Sequence, residues 1–273
     1  MNNLKETRMA AGTRRMPAVY FGHGSPMNAL EHNRYTEAWR RLGDSAPKPK
    51  AILAISAHWY TRGTAVTAME QPRTIHDFGG FPKELCAVQY PAPGDPALAA
   101  RVHELLAPIE VQLDDAWGLD HGTWSVLVHA FPEADVPVVQ LSLDATQPAN
   151  FHYELAMRLA PLRDEGVLIV GSGNVVHNLG RIQWADDAPP YDWAVRFNDK
   201  VRGFLATRNH EPLIAFETLS EDARLSVPTP DHYLPLLYVI AQQGPDETIS
   251  FPVDGIEYGS VGMLAVAVGL QPT

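Results

Sequence analysis

The chain has almost no cysteine. Cys86 stands alone among 273 residues, so neither an intrachain disulfide nor a thiolate cluster for a metal can form. No apolar run approaches the roughly 18 residues that suggest a membrane span, and the first residues lack the apolar core of a signal peptide. A membrane is therefore not an expected partner, and a cytoplasmic location is the simple expectation. Basic blocks are missing too, and the formal net charge of −11 argues against nucleic acid as a partner. Charged residues make up 19% and apolar residues 45%, as in an ordinary globular protein long enough to bury a substantial core. Repeats, low-complexity tracts and linkers are not evident. Residues 1–16 read as a flexible leader and residues 17–273 as one domain. Nothing resembles a coiled coil, and a monomer is expected.

Histidine, by contrast, is plentiful at eleven residues, and its placement is informative. "PAVYF" is a short buried strand, and Gly22-His23-Gly24 follows it. "KAILAISA" is a continuous apolar run, as in a parallel strand covered on both faces, and His58 follows. "GVLIVGSG" is a third such strand, with His177 after it. "EHNRYTEAWRRLG" reads as a helix ended by Gly43, and "TAVTAME" alternates like an edge strand. Residues 71–95 hold four prolines and three glycines, a loop region of the length usually tied to function. Strands and helices alternate thereafter, with "GMLAVAVG" as a closing strand. The pattern predicts an α/β domain with a central, mainly parallel sheet flanked by helices on both faces.

In such sheets ligands bind at the carboxyl ends of the strands. His23, His58 and His177 would meet there if their strands are neighbours, and His232 in "SVPTPDHYLP", opening a helix, is a fourth candidate. Any one of them could be a hydrogen-bonded structural residue. His121 in "GLDHGTW" could serve the site or merely its loop, and His76 is intermediate. Histidines 32, 103, 129, 152 and 210 read as structural or solvated. Competing motifs fail on inspection. "HELLA" at His103 lacks the second zinc-protease histidine, and neither a Gly-x-Ser-x-Gly elbow, a Walker loop nor a dinucleotide fingerprint is present. The residues alone lead as far as a metal-dependent α/β enzyme.

Seven stretches in order, "GHGSPMN", "SAHW", "TIHDFGGFP", "YPAPG", "WGLDHGTWSVL", "SGNVVHNL" and "PTPDHYLPLLY", closely resemble the DODA-type class III extradiol ring-cleaving dioxygenases, the bacterial 4,5-DOPA dioxygenase extradiol group. The resemblance implies cleavage of a catechol such as L-DOPA by O2 to a semialdehyde, at one divalent metal ion. Small aromatic diol and O2 are then the partners. It makes His23, His58 and His232 expected metal ligands, His177 the acid/base residue, and His121 a residue beside the substrate. Trp59, Phe78 and Tyr233 are candidate walls for the ring. The wider class holds iron with two histidines and a carboxylate. Here His232 stands at the third position with Asp231 beside it, and an all-histidine set changes the site's charge by one unit. Fe(II) is expected for oxygen chemistry, while Zn(II) could be bound by His23, His58, His177 and His232 together. The alternative function is a zinc-dependent hydrolase working through a metal-bound water. A non-catalytic metal- or small-ligand-binding protein is a third reading.

Overall fold

The computed structural model describes residues 15–185 and 188–270. Its strands are β1 (Ala18–Gly22), β2 (Ala51–Thr61), β3 (Thr64–Thr67), β4 (Val111–Asp114), β5 (Val138–Asp144), β6 (Val167–Gly173), β7 (Ile249–Ser250), β8 (Ile256–Glu257), β9 (Val261–Gly262) and β10 (Val266–Val268). Its helices are α1 (Arg34–Ser45), α2 (Lys83–Cys86), α3 (Pro96–Leu106), α4 (His121–Ala130), α5 (Ala149–Arg158), α6 (Pro161–Asp164), α7 (Asp192–Ala206), α8 (Glu211–Ile214), α9 (Glu221–Ser226) and α10 (Leu234–Ile240). Eight strands form one sheet in the order β4-β3-β5-β2-β6-β1-β10-β7. The middle four, β5, β2, β6 and β1, are parallel, and β3 and β10 flank them antiparallel.

Strand alternation explains why the central runs are apolar throughout. Tyr20, Leu53, Ile55 and Ile169 point into one core, with Val102 of α3, Leu155 of α5, Phe197 of α7 and Leu236 of α10. Their neighbours Val19, Phe21, Ile52, Ala54 and Val170 point into the other, with Trp39 of α1 and Trp124 of α4. With both faces covered, these strands are apolar except where a polar side chain finds a buried partner, as Ser56 does in Asp120 and Ser172 in His23. Side-chain caps start α1, α3 and α4, whereas α5 and α7 begin without one. Asn33 and Thr36 form a reciprocal capping box on α1, Asp95 caps α3 ahead of Pro96, and Asp120 caps α4.

Several expected boundaries are corrected. Helix α1 runs through Gly43 to Ser45, because Gly43 is a packing residue. A Cβ there would lie 1.8 Å from the carbonyl oxygen of Ala130, so the close approach of α1 to α4 at this point requires a glycine. Strand β3 is not an edge, since it pairs with β5 on one side and β4 on the other, and its four residues are buried. Strand β2 continues past its apolar run to Thr61, with irregular pairing to β5 between Ile55 and Tyr60. The closing run splits: β9 pairs with β8, and β10 joins the main sheet beside β1. Of the expected leader, residues 1–14 lie outside the described residues. Met16 is buried, and its N–H donates to the carbonyl of Arg163 at 2.9 Å. Among the described residues no helix is long and apolar enough to cross a membrane.

Candidate active site

The loop after β1 puts His23 directly beyond Gly22. His58 lies inside β2, rather than past its end, in the stretch where pairing with β5 is irregular. Such an irregularity re-aims a side chain that regular pleating would send elsewhere. His232 comes from the turn before α10, and its carbonyl accepts from the Asn174 N–H at 2.8 Å, which ties that turn to the end of β6. One ligand atom from each of these three imidazoles lies within 4.8 Å of the others. The Nε2 atoms of His23 and His58 are 3.2 Å apart.

Each ring is held from its far side. His23 Nδ1 is 2.9 Å from the hydroxyl of Ser172, which donates onward to the carbonyl of Gly122. His232 Nδ1 is hydrogen-bonded to the carboxylate of Asp231, and His58 Nδ1 faces Asp77 at 3.5 Å. Partners of this kind fix ring and tautomer and leave Nε2 as the free donor atom. Burial, reinforced by the neighbouring imidazoles, pushes the pKa of His23 and of His58 well below the ordinary value. Both are therefore neutral with lone pairs available. Two nitrogens at about 2.1 Å from a common ion sit about 3.0–3.4 Å apart, so the 3.2 Å separation fits a divalent metal. Burial is the largest single influence on the Asp231 carboxyl and would raise it, but the hydrogen bond and charge of His232, with the Thr229 side chain, together hold the pKa at about 2. Asp231 thus serves His232 as an anion and is not grouped with His23 and His58.

His177 stands apart from this set. Its ring lies flat on that of His232, centroids 3.4 Å apart and planes 8° from parallel. His177 lines the same cavity as His23, His58 and His232. It is grouped with Asp231 and His232, and the expected four-histidine cluster does not form. Burial pushes its pKa down to about 3.

His121 is the first residue of α4. Its N–H donates to Asp77 Oδ1 at 2.9 Å, and its Nδ1 lies 2.9 Å from the same oxygen. Burial opposes ionisation of Asp77, yet these contacts hold its carboxyl below the usual range. The His121 ring centroid is 3.8 Å from that of His58. Such close approach requires Gly122, where a Cβ would lie 2.4 Å from Ser56 Oγ and 2.8 Å from His58 Cδ2. Beneath it Ser56 donates to buried Asp120 at 2.7 Å.

A cavity of about 330 Å³ opens over these histidines. Phe78 and Phe81 form one wall, Leu179, Ile182 and Val261 another, and Trp184 and Tyr258 stand at the mouth. Two expected ring walls are corrected. Trp59 stacks on Trp117 with centroids 5.7 Å apart, because the residue after His58 in a strand faces away from it. Tyr233 is buried against Phe216, and its hydroxyl donates to the carbonyl of Leu213 at 3.1 Å. Only Phe78 of the three lines the cavity.

Residues 16–237 match the family described as the catalytic LigB subunit of aromatic ring-opening dioxygenase. The chain belongs to this family. A 4,5-DOPA dioxygenase extradiol of Escherichia coli K12 is 55% identical over 259 residues, covering 93% of this chain and 95% of the relative. One of Beta vulgaris is 38% identical over 272 residues, covering 95% and 96%. A crystal structure of an uncharacterized protein from Escherichia coli K12 superposes with a TM-score of 0.82 at 51% identity, covering 93% of this chain and all of that one. Membership of a ring-opening dioxygenase family supports the dioxygenase reading over the hydrolase one. The LigB-family cavity also uses residues that the sequence reading passed over. Phe81 and Leu179 sit inside quoted motifs, "TIHDFGGFP" and "SGNVVHNL", and could have been found there. Trp184 and Tyr258 carry no local signal.

Proposed function

We propose that this chain is an extradiol dioxygenase that opens a catechol of the L-DOPA type with O2, at a divalent metal held by His23, His58 and His232. One observation carries the reading: three outward-anchored imidazoles converge on the floor of a cavity walled by aromatic rings. In the overall reaction the ring bond beside the two hydroxyls breaks, and both oxygen atoms enter the product as a carboxylate and an aldehyde. Fe(II), when bound, supplies the one-electron chemistry that lets O2 react with the electron-rich ring. Everything else falls to the protein.

Phe78 and Phe81, edge to face at 5.2 Å, clamp the substrate ring and keep water from it. His177 lines the cavity as a neutral imidazole and is the group placed to take a catechol hydroxyl proton. The imidazolium formed is a strong acid in this buried setting and gives the proton to oxygen anion as the ring opens. His121, held at the cavity wall by its backbone N–H bond to Asp77, aligns the substrate oxygens.

The test is oxygen uptake on adding L-DOPA to apo-protein loaded in parallel with Fe(II) or Zn(II). Uptake with iron alone, with a yellow product, is expected. His177→Ala should lower kcat by about 10²–10⁴-fold, the range of a lost acid/base residue. Absence of uptake with iron across a panel of catechols, together with ester hydrolysis by the zinc form, would contradict the proposal.

A further inference from the structure

Asp120 is fully buried and has no part in the chemistry described above. Three donors serve its two oxygens. The Ser56 hydroxyl donates to Oδ1 at 2.7 Å, the Thr123 N–H donates to Oδ1 at 3.1 Å, and the Gln140 side-chain amide donates to Oδ2. The orientation of Gln140 is fixed in turn, because its Oε1 accepts from the Thr123 hydroxyl at 2.9 Å. Donors on both oxygens suit a carboxylate, whereas a carboxylic acid needs an acceptor for its proton. Burial and nearby Asp77 push the carboxyl above the usual range, against the pull of Ser56, His121 and Gln140. Among the described residues no lysine or arginine forms an ion pair with it. An anion buried in this way is unfavourable unless a cation lies close.

A place for that cation lies beside it, at the three-histidine floor. A Cβ on Gly122 would lie 3.3 Å from Asp120 Oδ1 and 2.8 Å from His58 Cδ2, the ring carbon next to Nε2. The carboxylate is thus no more than about 6 Å from the metal-facing edge of His58, a range at which a buried unit charge is strongly felt. Ser56 connects the two, donating to Asp120 while its oxygen accepts the His58 N–H at 3.2 Å. Asp77 and Asp231 also stand near the floor, but both are partly exposed to water, which screens them.

Resting on the three-histidine metal reading above, we propose that Asp120 is a positioning residue of the metal centre. Its buried carboxylate supplies, from beyond the ligand shell, the negative charge that an all-histidine set lacks. That charge strengthens iron binding and favours the ferric over the ferrous state. The Ser56 link, meanwhile, ties the start of α4 to the irregular stretch of β2 that carries His58.

The test compares the full chain with Asp120→Asn and Asp120→Ser. Both variants remove the charge, and serine keeps an oxygen for the Thr123 N–H that starts α4. Competition against a chelator reads Fe(II) affinity, and a redox titration followed by the ferric EPR signal reads the preference for Fe(III). In both variants Fe(II) affinity is expected to fall about 10–100-fold, and the preference for Fe(III) over Fe(II) about tenfold. Unchanged affinity and preference in Asp120→Asn, with loss confined to Asp120→Ser, would assign Asp120 a hydrogen-bonding role alone and overturn the proposal. Both quantities unchanged in the two variants would overturn it as well. An unaltered chain that takes up no Fe(II) would instead overturn the metal reading itself, whatever the variants do.

Discussion

His58 is positioned by its neighbours on three sides: Asp77 at 3.5 Å, the His121 ring at 3.8 Å between centroids, and the backbone of Gly122. Gly122→Ala puts a methyl 2.8 Å from His58 Cδ2, so the ring must shift. The expected outcome is a loss of at least tenfold in metal affinity, with about 1–3 kcal/mol of destabilisation from overpacking. Metal titration and urea unfolding would check the two parts separately. Asp231 acts on His232 in another way, by accepting its Nδ1 proton. Asp231→Asn should weaken metal binding about 10–100-fold, the usual cost of losing such a partner. A competition assay against a chelator reads it directly. At this scale the sequence was legible where glycine, proline or an ended apolar run set a histidine apart, as at His23, His58 and His232. Asp77 was not, since a carboxylate in a proline- and glycine-rich loop looks like any solvated one until the fold brings His121 onto it.

Element packing adds a pH dependence that needs no metal. His152 on α5 is buried between β5 and α10, with Nδ1 3.0 Å from the Tyr238 hydroxyl and Nε2 3.2 Å from the Asp144 carbonyl. A carbonyl only accepts, so Nε2 carries the proton and Nδ1 accepts from Tyr238. Burial pushes the pKa of His152 down to about 4. The folded state therefore binds the proton less readily than the unfolded chain, whose histidine titrates near 6.5. The contribution to stability is fully present above pH 6.5 and is lost as pH falls toward 4, to a total of about 3 kcal/mol. His152→Gln keeps one donor and one acceptor but does not titrate. Its urea midpoint should fall less than wild type between those pH values, and parallel curves for the two proteins would contradict the assignment. Strands and helices of this layer were legible because their apolar periods are long. The far half of β2 was not, because His58, Trp59 and Tyr60 end the apolar run while the backbone continues as strand. Nor could the sequence show that Gly43 is a contact with Ala130 and not a helix stop, since the reason lies on α4.

Across the whole molecule, the histidines gather at the carboxyl ends of the parallel strands while stability is secured near their amino ends. Arg163, fully buried ahead of β6, donates to the carbonyls of Met16 and Gln242 and forms a two-point pair with Glu247. It joins the start of β1 to the segment before β7. Glu247→Ala leaves that guanidinium buried without its anion and should cost about 3–5 kcal/mol in urea unfolding, with metal affinity unchanged. The alternation of strands and helices made the sheet legible as a whole. The cavity mouth was hidden, because Trp184 and Tyr258 come from separate loops that only the tertiary fold brings within 6.0 Å.

The account's central claim is that three histidines hold the metal and that His177 stands outside them. The most direct test is the metal content of His177→Ala beside His232→Ala, after Fe(II) loading and removal of free iron. The account predicts about one iron per chain in His177→Ala, with oxygen uptake lost, and little iron in His232→Ala. Equal loss of iron from both variants would contradict it and return His177 to the ligand set.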